Sequence, residues 1–327
     1  MGAALGLAER GRGRTAPNPN VGCVLVREGR VVGRGWTRPG GRPHAEAAAL
    51  AEAGEESRGA TCYTTLEPCA HRSHRGPTCS DLLVEAGVSR VVAAIGDPDP
   101  RTNGDGFARL RAAGIEVESA VRAEEARRSM AGFLTRRALG RPHVTLKLAT
   151  SLDGRIALAS GESRWITGPE ARAHVHLERA RHEAILVGRG TWEADRPRLD
   201  VRLKGLKGRS PRRVLLSSRR AAPPSDPGEG GTDVSGTWEV AREPAGIASL
   251  SGVDHLLVEG GALTAAAFLR ADLVDRLLLY RAPVLIGDGK PAIGDIGLTD
   301  LASAHGFWRL GDARQLGRDR LEVYERA

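Results

Sequence analysis

The segment PHAEAAALAEAG, residues 43–54, predicts a helix, because an alanine-rich run follows a proline and ends at a glycine. The segment ATCYTTLEPC, residues 60–69, predicts a strand, because β-branched residues precede a proline and a cysteine. Helix-like and strand-like segments keep alternating on both sides of this pair. Such alternation is typical of a layered α/β domain with crossover connections, which is the fold class we predict.

The alternation restarts near residues 140–144, which indicates a second α/β domain. Gly140, Arg141 and Pro142 interrupt the pattern, and a strand with alternating apolar positions begins at His143. We therefore predict two domains, residues 1–140 and 141–327. The predicted helices are 43–53, 81–86, 107–113, 169–180 and 262–270, the predicted strands are 21–26, 31–33, 60–66, 88–95, 114–117, 143–149, 184–187, 213–217, 255–258 and 277–284, and residues 219–236 are predicted to be a mobile surface loop.

The composition argues against a disordered or membrane-spanning chain. Of the 327 residues, 41% are hydrophobic and 42 are glycine, which is enough material for two cores. No apolar stretch approaches the roughly 18 residues that span a bilayer, and the first ten residues do not resemble a secretion signal. Four cysteines are too few for a disulfide scaffold. We therefore expect a soluble cytoplasmic protein with reduced thiols.

The net charge of +8 allows nucleic acid or a phosphorylated substrate as the partner. Only four of the 48 basic residues are lysine, so arginine is high throughout, as alanine and glycine are. No basic block is flanked by the aromatic residues that a single-strand binder uses for stacking. The charge is therefore explained by a bias of the whole chain, and a small-molecule substrate is favoured over nucleic acid.

A zinc site is predicted from His44, Cys69 and Cys79. One imidazole and two thiolates suit Zn²⁺, and three protein ligands leave the fourth position open for a water of lowered pKa. Glu46 would then carry a proton from that water to a departing amine. Positions two apart do not share a helix face, so this arrangement requires His44 to lie off the helical path at the start of the helix.

Two alternatives concern the remaining histidines and cysteines. His71 or His74 could be a fourth ligand, which would make the site closed and structural. Cys23 and Cys62 lie inside apolar strands, and we assign both to core packing. The H-x-E followed by P-C is the pattern of zinc nucleobase deaminases, although here nine residues rather than two separate the cysteines.

The second half offers two weaker signals for phosphate binding. Glycines at 260 and 261 lie between the strand 255–258 and the helix 262–270, where backbone N–H groups could contact a phosphate. Gly188-Arg189-Gly190-Thr191 also follows a strand. Neither is the G-x-G-x-x-G of a dinucleotide-binding domain, so an ordinary tight turn is an equally simple explanation of each.

Seven segments together resemble the family of bifunctional riboflavin-biosynthesis deaminase–reductases. They occur in the family's order and cover nearly the whole chain. They are Pro17–Gly22 (PNPNVG), His44–Glu46 (HAE), Thr65–Cys69 (TLEPC), Asp97–Pro100 (DPDP), Leu146–Arg155 (LKLATSLDGR), Trp165–Gly168 (WITG) and Val258–Gly261 (VEGG).

The resemblance implies a cytidine-deaminase-like three-layer α/β domain that removes an amino group from a diaminopyrimidinone carrying a phosphoribosylamino group. On matching positions, His44, Cys69 and Cys79 are the zinc ligands and Glu46 is the catalytic proton donor. Asn18 and Asn20 fall where the family lines its pyrimidine pocket, although asparagine in a proline-rich turn is just as often a turn former.

The resemblance also implies a dihydrofolate-reductase-like α/β domain that uses NADPH to convert the ribosyl group to ribityl. The implied cofactor-binding residues are Ala149, Trp165, Thr191, Asp195, Ser218, Gly261, Ala262, Leu263, Thr264, Ala265, Ala266 and Ala267. The implied substrate-binding residues are Ser163, Arg179, Leu199, Arg202 and Glu259. Arg179 and Arg202 suit a phosphate because guanidinium groups bind it bidentately, although Asp200 beside Arg202 opposes an anion.

Two other functions stay open at the level of sequence. A zinc deaminase acting on a nucleic-acid base such as one in tRNA would use the same chemistry, but it has no need of residues 141–327. A zinc-stabilised binding module without turnover would leave Glu46 and the open ligand position unexplained. We expect the deaminase–reductase, acting on a small phosphorylated pyrimidine without nucleic acid or membrane, as a homo-oligomer (dimer or tetramer).

Overall fold

The computed structural model describes residues 1–71, 76–219, 221–223 and 237–327. These form two compact units, Met1–Gly140 and Arg141–Ala327. His74 and most of the predicted loop 219–236 lie outside the described residues. Within the described part of the chain, every helix is too short or too polar to span a bilayer.

The first unit is a mixed five-stranded sheet with helices. Its strand order is β2-β1-β3-β4-β5, in which β1 is antiparallel to both neighbours and β3, β4 and β5 are parallel. The strands are β1 (Gly22–Arg27), β2 (Arg30–Trp36), β3 (Thr61–Thr64), β4 (Arg90–Ala93) and β5 (Glu116–Glu118), and the helices are α1 (Gly2–Ala8), α2 (Ala45–Ala53), α3 (Cys79–Glu85), α4 (Asp105–Ala112), α5 (Ala123–Ser129) and α6 (Ala131–Leu139).

The alanine-rich helix α2 lies unusually close to the sheet. A Cβ atom on Gly35 of β2 would meet the carbonyl oxygen of Ala45 at 1.9 Å, so only glycine fits there. Ala45 and Ala49 are fully buried in the same core as Leu25 and Leu83. Small residues on both sides of this contact fix the start of α2 against the sheet, and the predicted site lies at that start.

The second unit contains an eight-stranded sheet of order β10-β9-β8-β11-β6-β12-β15-β14. Strands β6 and β8 to β12 run parallel, and the last two add as an antiparallel hairpin. The strands are β6 (His143–Thr150), β7 (Arg155–Leu158), β8 (Ala184–Gly188), β9 (Arg212–Leu216), β10 (Trp238–Ala241), β11 (His255–Val258), β12 (Arg276–Arg281), β13 (Gly289–Pro291), β14 (Trp308–Leu316) and β15 (Asp319–Arg326), and the helices are α7 (Pro169–Arg179), α8 (Arg189–Asp195) and α9 (Ala262–Arg270).

The structure confirms the α/β class of both halves and corrects several bounds. The helix predicted from residue 43 begins at Ala45, because His44 precedes it in extended conformation. The strands predicted at 88–95 and 277–284 are shorter, at Arg90–Ala93 and Arg276–Arg281. The sequence does not predict the elements α1, α5, α6, α8, β7, β10, β13, β14 and β15.

Candidate active sites

The three predicted zinc ligands come from the ends of three elements. His44 is the N-cap residue of α2, with φ −68° and ψ 163°, so it lies off the helical path as the sequence requires. Cys69 follows the strand β3 and Pro68. Cys79 is the first residue of α3. Thr78 caps this helix, because the Thr78 side chain accepts a hydrogen bond from the Asp81 N–H at 3.1 Å.

These ends bring the three donor atoms together. His44 Nδ1 lies 3.3 Å from Cys79 Sγ and 3.6 Å from Cys69 Sγ. All three atoms lie within 4.8 Å of one another, and no further His, Cys, Asp or Glu among the described residues joins them. Tetrahedral zinc places nitrogen and sulfur ligands about 3.5–3.8 Å apart, so the set fits this metal with one position open. His71 instead lies 3.1 Å from Thr102 Oγ1.

The two cysteines differ in protonation. Contact with Cys79 lowers the pKa of Cys69 to about 4, and the imidazole of His44 acts in the same direction. Contact with Cys69, together with burial, raises the pKa of Cys79 well above its ordinary value. The Cys79 backbone N–H also donates to Cys69 Sγ at 3.3 Å. Without metal the pair is therefore one thiolate and one thiol, and binding of a divalent metal would displace the remaining proton.

Glu46 lies in the first turn of α2 and is 4% exposed. Burial raises the pKa of its carboxyl group. Thr64 Oγ1 of the strand β3 lies 3.3 Å from Glu46 Oε1 and 3.1 Å from the Leu66 carbonyl oxygen, so its one proton is shared between these two acceptors. A buried carboxyl group in the same pocket as His44 and Cys69 is suited to holding and delivering a proton.

The two predicted asparagines have different positions. The Asn18 amide nitrogen lies 3.2 Å from His44 Nε2 and donates to the Gly41 carbonyl at 3.3 Å. Asn18 therefore contacts the edge of the imidazole opposite the thiols. Asn20 is buried and donates to the Ser129 carbonyl at 3.2 Å, away from the residues that line the pocket. Only Asn18 lines the pocket.

Cys23 and Cys62 are core residues, as predicted. Both are fully buried on the adjacent strands β1 and β3, with their Sγ atoms 3.5 Å apart.

The pocket beside the predicted ligands has a volume of about 580 Å³. Six charged residues on its wall are not among the site residues predicted from the sequence. They are Arg42, Glu67, Asp97, Asp99, Arg101 and Arg137. Asp97 and Asp99 lie in the run DPDP and Glu67 lies in TLEPC, two of the segments that carry the family resemblance.

Glu67 organises this wall. Its carboxylate accepts hydrogen bonds from the backbone N–H groups of Asp97, Gly104 and Phe107, each at 3.1 Å. It therefore holds the loop after β4 and the beginning of α4 around one buried charge. The Asp97 N–H is one of these donors, and burial raises the pKa of the Asp97 carboxyl group to about 6.

In the second unit, the predicted residues follow the carboxyl ends of parallel strands. Ala149 is the last but one residue of β6, Thr191 and Asp195 lie on α8 after β8, Ser218 follows β9, and Glu259 with Gly261 follows β11. In open parallel sheets this edge is where ligands bind. The Gly261 N–H donates to Thr191 Oγ1 at 3.2 Å, which joins the two loops.

Close packing at this edge requires glycine. A Cβ atom on Gly188 would lie 2.0 Å from Thr264 Oγ1, so α9 approaches the end of β8 closely. Gly261 is the N-cap of α9, and the Ala265 N–H already donates to the Gly261 carbonyl. The backbone N–H groups of the residues before Ala265 therefore lie in the first turn of the helix. The side chains of Ala265 and Ala266 are buried, Ala262 and Ala267 are half-buried, and Leu263 is exposed.

Arg179 and Glu259 form a buried ion pair. Arg179 Nε and Nη2 donate to Glu259 Oε1 and Oε2 at 2.8 and 2.9 Å. Lys147 Nζ lies 3.8 Å from Glu259 Oε2 and was not predicted as a site residue. The sequence feature that marks Lys147 is a lysine within an otherwise apolar strand. Burial acts to raise the pKa of Glu259, but Arg179 and Lys147 bring it down to about 2.

The other predicted substrate and cofactor residues are more dispersed. Leu199 is 3% exposed and packs in a core cluster with Ile185, so its side chain faces the interior. Arg202 Nε lies 3.5 Å from Asp200 Oδ1. Ser163 is half-buried and Ser218 is exposed. Trp165 is exposed beneath the guanidinium of Arg172, and Asp195 lies 3.6 Å from Arg164 Nη2.

Comparison with protein families gives two matches. Residues 1–95 match the cytidine and deoxycytidylate deaminase zinc-binding region. Residues 142–227 and 247–319 match the RibD C-terminal domain. The second match covers most of the second unit, and it does not favour the alternative of a tRNA deaminase.

Full-length relatives show the same combination. The chain is 42% identical to the riboflavin biosynthesis protein RibD of Escherichia coli, over 98% of this chain and 96% of that protein. It is 37% identical to RibD of Aquifex aeolicus, over 100% and 97%. Among solved structures, Acinetobacter baumannii RibD superimposes with a TM-score of 0.86 at 37% identity, over 100% of this chain and 98% of that one. A Thermotoga maritima diaminohydroxyphosphoribosylaminopyrimidine deaminase/5-amino-6-(5-phosphoribosylamino)uracil reductase gives a TM-score of 0.86 at 33% identity, over 100% and 97%.

Proposed function

The chain belongs to the RibD family of riboflavin biosynthesis proteins and is a bifunctional deaminase and reductase, and on that premise we propose how its residues divide the two reactions. The first unit, Met1–Gly140, carries the deaminase and the second, Arg141–Ala327, the reductase. The substrates are those in the name of the Thermotoga maritima relative, a phosphoribosylaminopyrimidine and the uracil derived from it by deamination.

The observation that carries the deaminase assignment is the three-ligand cluster, of which His44 and Cys69 line the same pocket as Glu46. His44, Cys69 and Cys79 would hold zinc, which when bound supplies a Lewis acid and lowers the pKa of a water molecule. Glu46 takes a proton from the attacking water and delivers it to the amino nitrogen of the substrate. The products are the carbonyl compound and ammonia, so the reaction is a hydrolysis. Thr64 contacts the carboxyl group of Glu46, and Asn18 contacts the imidazole of His44.

The reductase assignment is supported by the carboxyl edge of the parallel sheet. The small residues around Gly261 and the first N–H groups of α9 fit a phosphate group, so we propose NADPH as the cofactor. NADPH when bound supplies a hydride for the ribosyl carbon. The proposed cofactor residues are Ala149, Trp165, Thr191, Asp195, Ser218 and Gly261 to Ala267, with the residues from 262 to 267 acting through the helix backbone.

The same edge would also hold the substrate of the reductase. The proposed residues are Ser163, Arg179, Leu199, Arg202 and Glu259, with Leu199 acting through its backbone because its side chain is buried. Arg179 is held by Glu259, and Lys147 adds a second cation to that buried pair. A phosphorylated or hydroxylated ligand would therefore meet a fixed guanidinium group rather than a flexible one.

We further propose a cytoplasmic homo-oligomer. All four cysteines are free, which suits a reducing compartment. The edge strand β14 has β15 on one side and, within the described residues, no strand on the other, so it offers a surface for a second copy. Light scattering after size-exclusion chromatography measures the number of chains. A single-chain mass at micromolar concentration would refute the oligomer.

The product masses test the function directly. Purified protein is mixed with the diaminopyrimidinone phosphate, first without and then with NADPH. We expect an amino group to be replaced by oxygen without cofactor, and two hydrogens to be added only with it. Deamination without reduction would refute the assignment of the second unit, and no change in either mixture would refute both.

The variant Glu46→Gln separates the two sites. It should keep zinc bound, abolish deamination and leave reduction of the deaminated intermediate unchanged. Zinc per chain is measured by elemental analysis, and each reaction is followed with its own substrate. Loss of both activities would contradict the assignment of separate active sites.

A further inference from the structure

The wall of the deaminase pocket contains a cluster of two arginines on one carboxylate. Arg101 lies in the loop after β4, Arg137 lies on α6, and both line the pocket together with Asp99. Arg101 donates through Nε at 3.0 Å to Asp99 Oδ1 and through Nη2 at 2.6 Å to Oδ2. Arg137 Nη2 donates to the same Oδ2 at 3.0 Å. Two separate elements therefore bring their cations to one anion.

Burial separates the roles of the three groups. The Asp99 side chain is 6% exposed, whereas those of Arg101 and Arg137 are 60% and 41% exposed. The carboxylate thus lies beneath the guanidinium groups, and both of these reach solvent. Contact with Arg101 holds the pKa of Asp99 well below its usual range, so this carboxylate stays charged throughout the physiological range.

The N–H donors that Asp99 does not occupy favour an anionic ligand. Asp99 and the nearby Asp97 together offset the charges of the two guanidinium groups, so a ligand would be bound through the N–H donors that are not directed at Asp99 rather than through an excess of positive charge. Guanidinium has five N–H donors, and Arg137 directs one nitrogen at Asp99. The other carboxylates on the wall are Glu46, Glu67 and Asp97, and Glu67 accepts from three backbone N–H groups. A dianion that contacts both arginines would complete the cluster.

We propose that Arg101 and Arg137, held by Asp99, bind the phosphate group of the deaminase substrate. This inference rests on the proposed function, because a phosphoribosylamino pyrimidine carries a phosphate that must lie in the same pocket as the reacting ring. The ring lies at Glu46 and the zinc ligands, and the guanidinium groups on the other stretch of wall bind the phosphate bidentately. Asp99 is a positioning residue that keeps the two arginines together.

The test compares two substrates that differ only in the phosphate group. Deamination of the phosphorylated pyrimidine and of its dephosphorylated riboside is measured for the wild type, Arg137→Gln and Arg101→Gln. For the phosphorylated substrate we expect kcat/KM to fall about 10- to 100-fold, mainly through KM. For the riboside we expect a change of less than about twofold. The control is Arg127→Gln on α5, where the Arg127 side chain contacts Glu124. It removes an equivalent charge and should change neither value.

An equal loss for both substrates would overturn the proposal, because it would show a role in the fold or in the chemistry. Zinc content and reductase activity of each variant establish that the chain is folded. A second measurement does not depend on deamination. Ribose 5-phosphate is titrated calorimetrically into the wild type and Arg137→Gln, and we expect the variant to lose one binding event.

The outcomes also separate this proposal from the proposed function. If the wild type deaminates neither substrate, the proposed function is wrong, and the ribose 5-phosphate titration still decides whether these arginines bind phosphate. Identical titrations of the wild type and Arg137→Gln would refute the phosphate site while leaving the deaminase assignment intact.

Discussion

Replacing Asp97 by asparagine should stabilise the first unit, and more so at higher pH. Asp97 is 7% exposed and lies in the pocket wall, where burial raises the pKa of its carboxyl group from 3.8 to about 6. Because this pKa is raised, folding favours the protonated acid. The cost to stability is absent below about pH 4, grows as the pH rises through 6, and is constant above it. The amide oxygen introduced by Asp97→Asn could still accept the Asp99 N–H hydrogen bond, which is 2.9 Å long in the wild type.

The magnitude follows from the two pKa values. A shift from 3.8 to about 6 costs the wild type about 1.6 kcal/mol at pH 5 and about 3 kcal/mol at pH 8, relative to the protonated group. The difference between the variant and the wild type should therefore grow by about 1.4 kcal/mol between these pH values. That corresponds to about a tenfold change in the ratio of their opening equilibria.

Hydrogen exchange with mass spectrometry measures this for each unit separately. Peptides from residues 1–140 of Asp97→Asn should exchange more slowly than those of the wild type. The ratio of the wild-type exchange rate to that of the variant should be about tenfold larger at pH 8 than at pH 5. Peptides from residues 141–327 are the internal reference, and the exposed Glu124→Gln is the control variant. A ratio independent of pH, or a variant that exchanges faster at pH 8, would refute the reasoning.

Three further variants test other contacts. Thr64→Val removes the hydroxyl that donates to Glu46 and should lower the kcat of deamination by a factor of about 2 to 10, whereas Thr64→Ser should restore it; an unchanged kcat in steady-state assays would contradict this. Glu67→Gln takes the charged acceptor from three backbone N–H groups and should lower the free energy of unfolding of the first unit by about 2–4 kcal/mol in urea titrations, and a loss below about 0.5 kcal/mol would speak against it. Glu259→Gln leaves Arg179 without its counter-charge and should destabilise the second unit by about 3–5 kcal/mol in the same titrations. Deamination should be unchanged, and its loss in this variant would contradict the prediction.

The sequence predicts those features whose chemistry is local. The helix after Pro43 follows from a proline and an alanine run, although it begins at Ala45 and not at the predicted residue 43. The zinc ligands follow from residue types that few other functions need. The strands of the sheet cores follow from apolar runs. The helices α5 and α6 were missed although α5 has acidic residues in its first turn and basic residues in its last, because arginine is frequent everywhere and hides such patterns.

The charged wall of the pocket could not be predicted in the same way. Asp99, Arg101 and Arg137 have no meaning as a group until the loop after β4 is brought into contact with α6. An arginine-rich sequence offers 44 candidates for each guanidinium, so only the fold selects two of them. Conversely, Leu199 was predicted at the substrate site by position, and the structure buries its side chain, because a hydrophobic side chain beside a core joins that core.

The way in which Cys69 and Cys79 are joined makes the intervening segment tolerant of changes in length. The Ser80 N–H and hydroxyl donate to the Cys69 carbonyl at 3.2 and 3.0 Å, and Thr78 caps α3 independently. The ends of the segment are thus fastened by bonds that do not pass through it. Lengthening nine residues to ten would cost only about 0.1 kcal/mol in closure entropy. Insertions and deletions can therefore accumulate here during evolution without disturbing the ligands, and a search for relatives that fixes the spacing of the cysteines will overlook members with intact metal sites.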